Sequence, residues 1–495
     1  PTGRCGVCVV HIEGRNPPLQ QACKTHVEQD MIVTTDSPDV VYQAQVNLRE
    51  FLGMHKLEGL THTAEIEDLA AFVRQSASIR DDSAGDGMRG GGGGPGEAAS
   101  HQYAIVRDQA RCISCTRCVR ACSDVQNMNV LSIDPSRPVQ PISFDGDLPL
   151  PATSCIACGQ CAEVCPTGAV SERDDVPLVL AELRKTGPER KLLVIQTAPA
   201  ARLSVGEVFG DAPARSPGKT VAALHAMGFD YVFDTTFGAD TTAQFEAEEL
   251  AERMKADGPW PMFTSCCPAW VMLVEKKYPH LRKYVSRCKS PMMMLATLIR
   301  CWMQKRAVPR ERYLSVALMP CTAKKEEILR PDLKAPDGSY DIDVVLTARE
   351  MGRLLRELGV DWAALPGTHS TAYDPPFAAS SGGGALFPVA GGVTESALRV
   401  AYGLFTKEVP QDPNRTLYDQ VRKVPHAPGE WISSEVQVTP DRRHKRPIEA
   451  QVITGTRAIQ QFLEDAGLDT PDGAWEHKGN VFVECMACPG GCVGG

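Results

Sequence analysis

The chain has 495 residues, 43% of them hydrophobic and 23% charged, with a formal net charge of −9. A scale of about 150 residues per domain divides it into three or four domains, and no apolar run approaches the roughly 20 residues that a membrane-spanning helix needs. The acidic balance excludes a basic nucleic-acid footprint, so the expectation is a water-soluble protein with no membrane span and no nucleic-acid partner.

Residues 1–45 carry alternating strand-like stretches, Val7 to Ile12 and Met31 to Thr35, around Cys5, Cys8 and Cys23, followed by a helical pattern from Val41 to Met54. Residues 46–100 are expected to form a degenerate histidine/cysteine cluster segment, polar from about residue 56 and ending in a glycine-rich linker, Arg89 to Pro95. Residues 101–176 hold two cysteine quartets joined by short connections, a small cluster-binding unit. From 177 to 495, strand-like segments such as Lys191 to Ile195 and Val481 to Glu484 alternate with helical ones such as Thr242 to Met254 and Thr347 to Leu358. That alternation predicts an α/β catalytic domain, behind N-terminal segments whose cysteine runs resemble α+β ferredoxin-like domains. The start at Pro1 and the end on Cys492 to Gly495 read as cuts in a longer protein, so the lack of a targeting segment excludes little.

Nineteen cysteines, bunched in short runs, decide the chemical class. Thiols this close together cannot all find disulfide partners but can hold metal, which implies a reducing compartment, with cytoplasm as the default. Cys112, Cys115, Cys118 and Cys122 form CxxCxxCxxxC, and Cys155, Cys158, Cys161 and Cys165 repeat it before Pro166. In the bacterial two-cluster run the fourth cysteine ligates the other run's cluster. The expected sets are therefore Cys112, Cys115, Cys118 and Cys165 for one [4Fe-4S] cluster, and Cys155, Cys158, Cys161 and Cys122 for the other. Paired four-cysteine zinc sites are the alternative, although they usually place a longer spacer between two CxxC halves. Cys5, Cys8 and Cys23 resemble the tail of a [2Fe-2S] ferredoxin whose first cysteine would precede Pro1; a zinc knuckle is the alternative there.

Three more motifs lie far apart: Thr264 to Trp270 with Cys266 and Cys267, Met319 to Glu327 with Cys321 and Lys324, and Glu484 to Cys492 with Met486 and Cys488. Cys267, Cys321, Cys488 and Cys492 supply four thiolates from three segments, enough for a further cluster. Together, in this order, the motifs resemble those of [FeFe]-hydrogenases, and the resemblance extends over nearly the whole chain.

It implies reversible reduction of protons to H2 at a six-iron H-cluster. That cofactor is a [4Fe-4S] cubane joined through a thiolate, here matching Cys492, to a diiron unit bearing CO, cyanide and a dithiolate amine. Lys324 would be a cation for a cyanide nitrogen, with Met319, Met486, Ala198, Pro199, Ala200 and Phe387 as pocket walls. Cys266 would exchange protons with the amine, and a relay would continue through Glu246, Ser286 and Glu249, with Arg253 near the exit. Glu246 and Glu249 are three apart on a predicted helix and share a face; without the resemblance both read as solvated surface charges. Two [4Fe-4S] clusters and, in the full-length protein, one [2Fe-2S] cluster would carry electrons. Ferredoxin, a flavin-containing NAD(P)-binding subunit, or both would be the electron partner, since no dinucleotide fingerprint appears in this chain.

Departures from the family pattern are visible. After His55, the expected thiolate positions hold Gly59, His62 and Ala64, so a histidine-linked cubane is not expected there. Ala198, Met292 and Pro388 stand where the family favours serine, glutamine and glycine, each change removing a donor or backbone freedom. Cys288, Cys301 and Cys485 have no assigned partner and read as buried small hydrophobes, with Cys485 near the cluster as a further option. Pro217 to Thr220 imitates part of a phosphate loop, but Pro213 replaces the required glycine. A hydrogen sensor or an iron-sulfur assembly relative with little turnover is the rival reading. Retention of Cys266, Lys324 and both glutamates argues against a mere scaffold.

Overall fold

The computed structural model describes residues 8–22, 25–54, 103–134, 142–144, 148–366, 373–406, 432–438, 448–473, 475 and 479–494. Cys5, Cys23, the His55 to Ala64 positions and the glycine-rich linker lie outside them. The chain divides into two units, one of residues 1–124, 129–153 and 160–172 and the other of 125–128, 154–159 and 173–495.

In the first unit, β1 (Val9–Ile12) pairs antiparallel with β2 (Leu19–Gln21) and β3 (Val33–Thr34), followed by α1 (Pro38–Met54). Further along come β4 (Ile105–Arg107), α2 (Arg117–Arg120), β5 (Leu131–Ile133), β6 (Ile142–Phe144), α3 (Gln160–Glu163) and β7 (Val170–Glu172). β4 pairs antiparallel with β7, and β5 with β6. Each one-turn helix carries the third cysteine of its quartet, Cys118 on α2 and Cys161 on α3. Such short elements bury little apolar surface, and cysteines supply part of the small core, where Cys118 packs with Leu131 and Ile142, flanked by Cys112, Cys122 and Cys161.

The second unit contains α4 (Val176–Leu183), β8 (Leu192–Thr197), α5 (Pro199–Ser204), α6 (Ser216–Met227), β9 (Tyr231–Asp234), α7 (Thr235–Ala256), β10 (Met262–Phe263), α8 (Pro268–Lys277), α9 (Pro291–Lys305), β11 (Tyr313–Met319), α10 (Lys324–Glu327), β12 (Val344–Thr347), α11 (Ala348–Glu357), α12 (Gly392–Thr406), β13 (Ile432–Val438), β14 (Ile448–Thr454), α13 (Thr456–Asp465) and β15 (Asn480–Met486). One sheet has the order β12-β11-β8-β9 and is parallel throughout, with Val316 opposite Ile195. The other has the order β10-β15-β14-β13, parallel except for β13. β8 and β15 are near-continuous apolar runs because helices cover both faces of a parallel sheet.

This architecture explains where the motifs fall. Ala198 to Ala200 follow β8, Cys266 and Cys267 follow β10, Cys321 follows β11, and Cys488 follows β15, all beyond the carboxyl ends of parallel strands, where open α/β sheets form their crevices.

Helix α7 starts seven residues before the expected Thr242. Its first turns, rich in threonine with Gly238, have weak helix propensity. Packing decides instead: a Cβ on Gly238 would stand 2.2 Å from the Pro291 carbonyl oxygen, so glycine lets α7 approach the start of α9. Asp234 caps the helix by accepting from the Thr236 N–H. The segment Pro217 to Thr220 lies within α6, as the missing glycine implied for a false phosphate loop. Cys301 corrects its expectation: α9 turns it outward, exposed, while Met292, Met293, Leu295, Ala296 and Ile299 fill the inner face.

Candidate active site

A cavity with about 840 Å³ of empty space, its mouth included, opens between the two sheets' carboxyl ends. Its walls bring together every cavity residue that the motifs nominated. Cys267, Cys321, Cys488 and Cys492 stand around it with Cys266, Lys324, Met319, Met486, Ala198, Pro199, Ala200 and Phe387. Met292 and Pro388, two of the departures from the family pattern, are also on the wall. Sequence reasoning missed Cys158, which lines the same space.

The Cys488–Pro–Gly–Gly–Cys492 turn depends on its glycines. Gly491 has φ +89°, and a Cβ there would lie 2.8 Å from the Ala390 nitrogen. Burial pushes the thiols up: Cys321 to about 12, Cys492 and Cys488 well above the ordinary range, with mutual repulsion among Cys267, Cys321, Cys488 and Cys492 adding to it. Four thiols that repel one another as anions are held together for a cation to bind, because metal bonding compensates their charge. Among the described residues no three His, Cys, Asp or Glu gather at single-ion distance. The thiols surround a space instead, and soft sulfur donors of this number fit an iron-sulfur group.

Lys324 brings the only described lysine ammonium to the wall, donating to the Cys266 carbonyl at 3.2 Å and to Glu327 Oε2 at 2.6 Å. Burial opposes its charge, but Glu327 and Cys321 outweigh that and hold its pKa above the ordinary value. Two of its three N–H groups are thus used, leaving one for a guest in the cavity.

Cys266 and Cys267 both face this space but differ in surroundings. The Cys267 sulfur accepts from the Ala487 N–H at 3.4 Å, whereas Cys266 sits toward acids: burial first, then Glu246 and Glu484, raise its thiol far above the ordinary value. Glu246 is 0% exposed, and neither of its oxygens has a hydrogen bond of normal geometry among the described residues. Burial and the charge of Glu249 lift it to about 8, although the Ser265 N–H and the Ser286 hydroxyl favour its charged form. Glu249, one turn on, is opposite in character. Burial would raise it, but Arg253 at 2.7 Å, the Arg287 N–H at 2.9 Å and Ser286 Oγ at 3.1 Å hold it below the usual range. Both carboxylates are buried, which corrects the reading of them as solvated charges. Arg253, expected near an exit, is buried against Glu249, while Arg287 extends to the surface and pairs with Glu252.

Of the unassigned thiols, Cys485 is fully buried on β15 behind Cys267, and Cys288 is part-buried near Glu246 and pushed to about 12, mainly by burial.

In the first unit, Cys112, Cys115, Cys118 and Cys165 line one small cavity. The Ser114 N–H points to the Cys112 sulfur and the Val170 N–H to the Cys165 sulfur, both at 3.4 Å. The fourth cysteine of the second quartet thus stands with the first three of the first, the crossed pattern expected from the spacing. Cys155 and Cys158 belong to the second unit.

Residues 191–495 match the family model for the iron only hydrogenase large subunit, C-terminal domain, and residues 111–169 that for the 4Fe-4S dicluster domain. The chain is 34% identical to the NADP-reducing hydrogenase subunit HndD of Solidesulfovibrio fructosivorans, over 99% of this chain and 80% of the relative. A solved variant of [FeFe]-hydrogenase HydA1 from Chlamydomonas reinhardtii aligns with a TM-score of 0.50 at 32% identity, covering 65% of this chain and 83% of that one. More distantly, the cytosolic iron-sulfur assembly component 3 of Mus musculus is 27% identical over 69% of this chain and 70% of its own length. Among the described residues no helix is long and apolar enough to cross a membrane. The match over most of the chain, on a fold whose strand ends gather all three cysteine motifs, places the protein in the iron-only hydrogenase family of iron-sulfur oxidoreductases, as a catalytic large subunit.

Proposed function

We propose that the chain reversibly reduces protons to H2 at an H-cluster held in the Cys266–Lys324 cavity. The observation that carries this reading is the convergence of Cys267, Cys321, Cys488 and Cys492 from three distant segments on one wall with the Cys266 thiol and the buried Lys324 ammonium. Cys267, Cys321, Cys488 and Cys492, all on the cavity wall, would hold the cofactor through their thiolates. When bound, the cofactor supplies the metal chemistry that combines protons with electrons. Lys324 anchors an anionic ligand through its remaining N–H, and Met319, Met486, Phe387 and Ala198 to Ala200 exclude water around it.

The chain's own contribution to the reaction is proton movement. Cys266 holds a proton at its sulfur, kept neutral by burial, and Glu246 next to it is neutral at pH 7. Ser286 links to Glu249, whose charge is fixed by Arg253 and Arg287. A neutral donor chain ending on an anchored anion gives protons a direction-independent path, each group both giving and accepting. The two cysteine quartets would hold [4Fe-4S] clusters for electrons, and Cys5, Cys8 and Cys23 would contribute to a [2Fe-2S] cluster. An NAD(P)-binding flavin subunit or a ferredoxin is the proposed electron partner, in line with the name of the HndD relative, and the cytoplasm the proposed compartment.

The test is hydrogen evolution from reduced viologen by the matured full-length protein, with an infrared spectrum of the CO and cyanide region. Turnover with bands is expected. Bands without turnover would replace the enzyme reading with a sensor, and no bands after competent maturation would point to the assembly-component relatives.

A further inference from the structure

Cys158, from the second quartet, lines the same cavity as Cys321 and Cys488. The loops bearing Cys158 and Cys321 are joined by a buried hydrogen bond. Thr322 Oγ1 donates to the Ala157 carbonyl oxygen at 2.6 Å, in a buried position. Ala157 precedes Cys158, and Thr322 follows Cys321, so this hydrogen bond ties the Thr322 side chain to the backbone of the Cys158 loop. The neighbouring residue is built for this approach: Gly159 has φ +82°, and a Cβ there would stand 2.7 Å from Thr322 Oγ1. A second tether holds the same loop, with Lys276 Nζ on α8 donating to the Cys155 carbonyl oxygen at 2.7 Å.

We infer that Thr322 is a positioning residue for electron transfer, its hydroxyl bridging the loop of Cys158 to the loop of Cys321 so that electrons cross between the clusters these cysteines hold. The inference rests on the H-cluster reading above and assigns its electron exit. In H2 oxidation each H2 yields two protons and two electrons. The electrons cross the bridge one at a time, the group on the Cys321 side being oxidised and the cluster on the Cys158 side reduced, and two one-electron viologen molecules accept them. The protons leave by the Cys266 side.

Valine matches threonine in shape but lacks the donor, so Thr322→Val breaks the bridge while filling its space. Two reactions separate the roles in the matured full-length protein. Exchange of D2 with water needs only the cavity, whereas H2-driven viologen reduction also needs the electron exit. The expected result is severalfold slower viologen reduction in Thr322→Val, unchanged exchange, unchanged CO and cyanide bands, and weaker magnetic interaction between the cubanes in electron paramagnetic resonance. Thr322→Ser, which keeps the donor, should restore both viologen reduction and the magnetic interaction. Equal loss of exchange and viologen reduction in both variants would overturn the bridge in favour of a general defect. Unaltered viologen reduction in Thr322→Val would overturn it as well. Absence of exchange and bands in the unmodified protein would instead remove the H-cluster reading, and the bridge with it.

Discussion

Lys324 and Lys325 are chain neighbours, yet they serve two buried polar regions of opposite design. Around Lys325, which is fully buried, every group has its partner: Asp175 at 2.6 Å, Glu350 at 2.9 Å and the Val345 carbonyl at 2.7 Å. Glu350 also accepts from the N–H groups of Asp175 and Thr347, closing a capping box on α11. Around Lys324 the arrangement is open, with an N–H to spare, thiols pushed toward their neutral form, and Glu246 without a well-formed hydrogen bond. A fully satisfied buried network locks strands and helices in place. A partly satisfied one is costly for folding and is kept where a guest or a moving proton completes it.

The sharpest way to break this contrast is Cys266→Ser. Turnover should fall by about 10²–10⁴-fold, the usual worth of a positioned acid-base group, while iron content and thermal midpoint stay nearly unchanged. Full turnover would show that the open region does not depend on this thiol. Lys325→Met is the mirror experiment. Leaving Glu350 without a cation, and Asp175 with Arg173 alone, should cost about 3–5 kcal/mol of stability, read as a lowered denaturation midpoint, and activity should be lost only in step with folding. A variant as stable as the parent would refute the locking role.

The paired glutamates sharpen the comparison on a finer scale. Glu246→Gln replaces a group already neutral at pH 7 and should leave stability almost intact while slowing turnover. Glu249→Gln removes the charge that Arg253 and Arg287 share, and should cost about 2 kcal/mol through lost charge-assisted hydrogen bonds, measured by chemical denaturation.

The smallest effect is the pH response of Glu246. Its pKa is raised from 4.5 unfolded to about 8 folded, so between these values the native state binds the extra proton. Its contribution to stability is therefore full below about 4.5 and declines as pH rises toward 8. An infrared difference spectrum should show a protonated carboxyl band at pH 6 that disappears above pH 8, about the lifted pKa, and that Glu246→Gln lacks. A band insensitive to pH would place the proton elsewhere.

Much of the site was legible before any fold was known, since the cysteine spacings speak directly about ligand sets, and Cys112, Cys115, Cys118 and Cys165 do line one cavity. The α/β alternation also emerged from strand-like stretches such as Lys191 to Ile195, whose Leu192 to Ile195 are all apolar. Less legible was anything that depends on which side of an element faces inward. Cys301 looked like a core thiol on an apolar helix, but α9 has more apolar residues than its inner face can hold. The start of α7 was invisible because its propensity is weak and its stability comes from contact with α9.

The sequence by itself determined the chemistry on offer: thiol runs close enough in the chain to share a cluster, and acids one helical turn apart, because short spacings constrain geometry through local backbone alone. Tertiary structure decided which groups meet across hundreds of residues. It put Cys158 on the wall beside Cys488, Lys324 in the cavity, and Lys325 in a closed ion cluster with Asp175. Neighbouring lysines look alike in sequence; only the packing of the sheets settles which one finds a carboxylate on each side and which one keeps an N–H free.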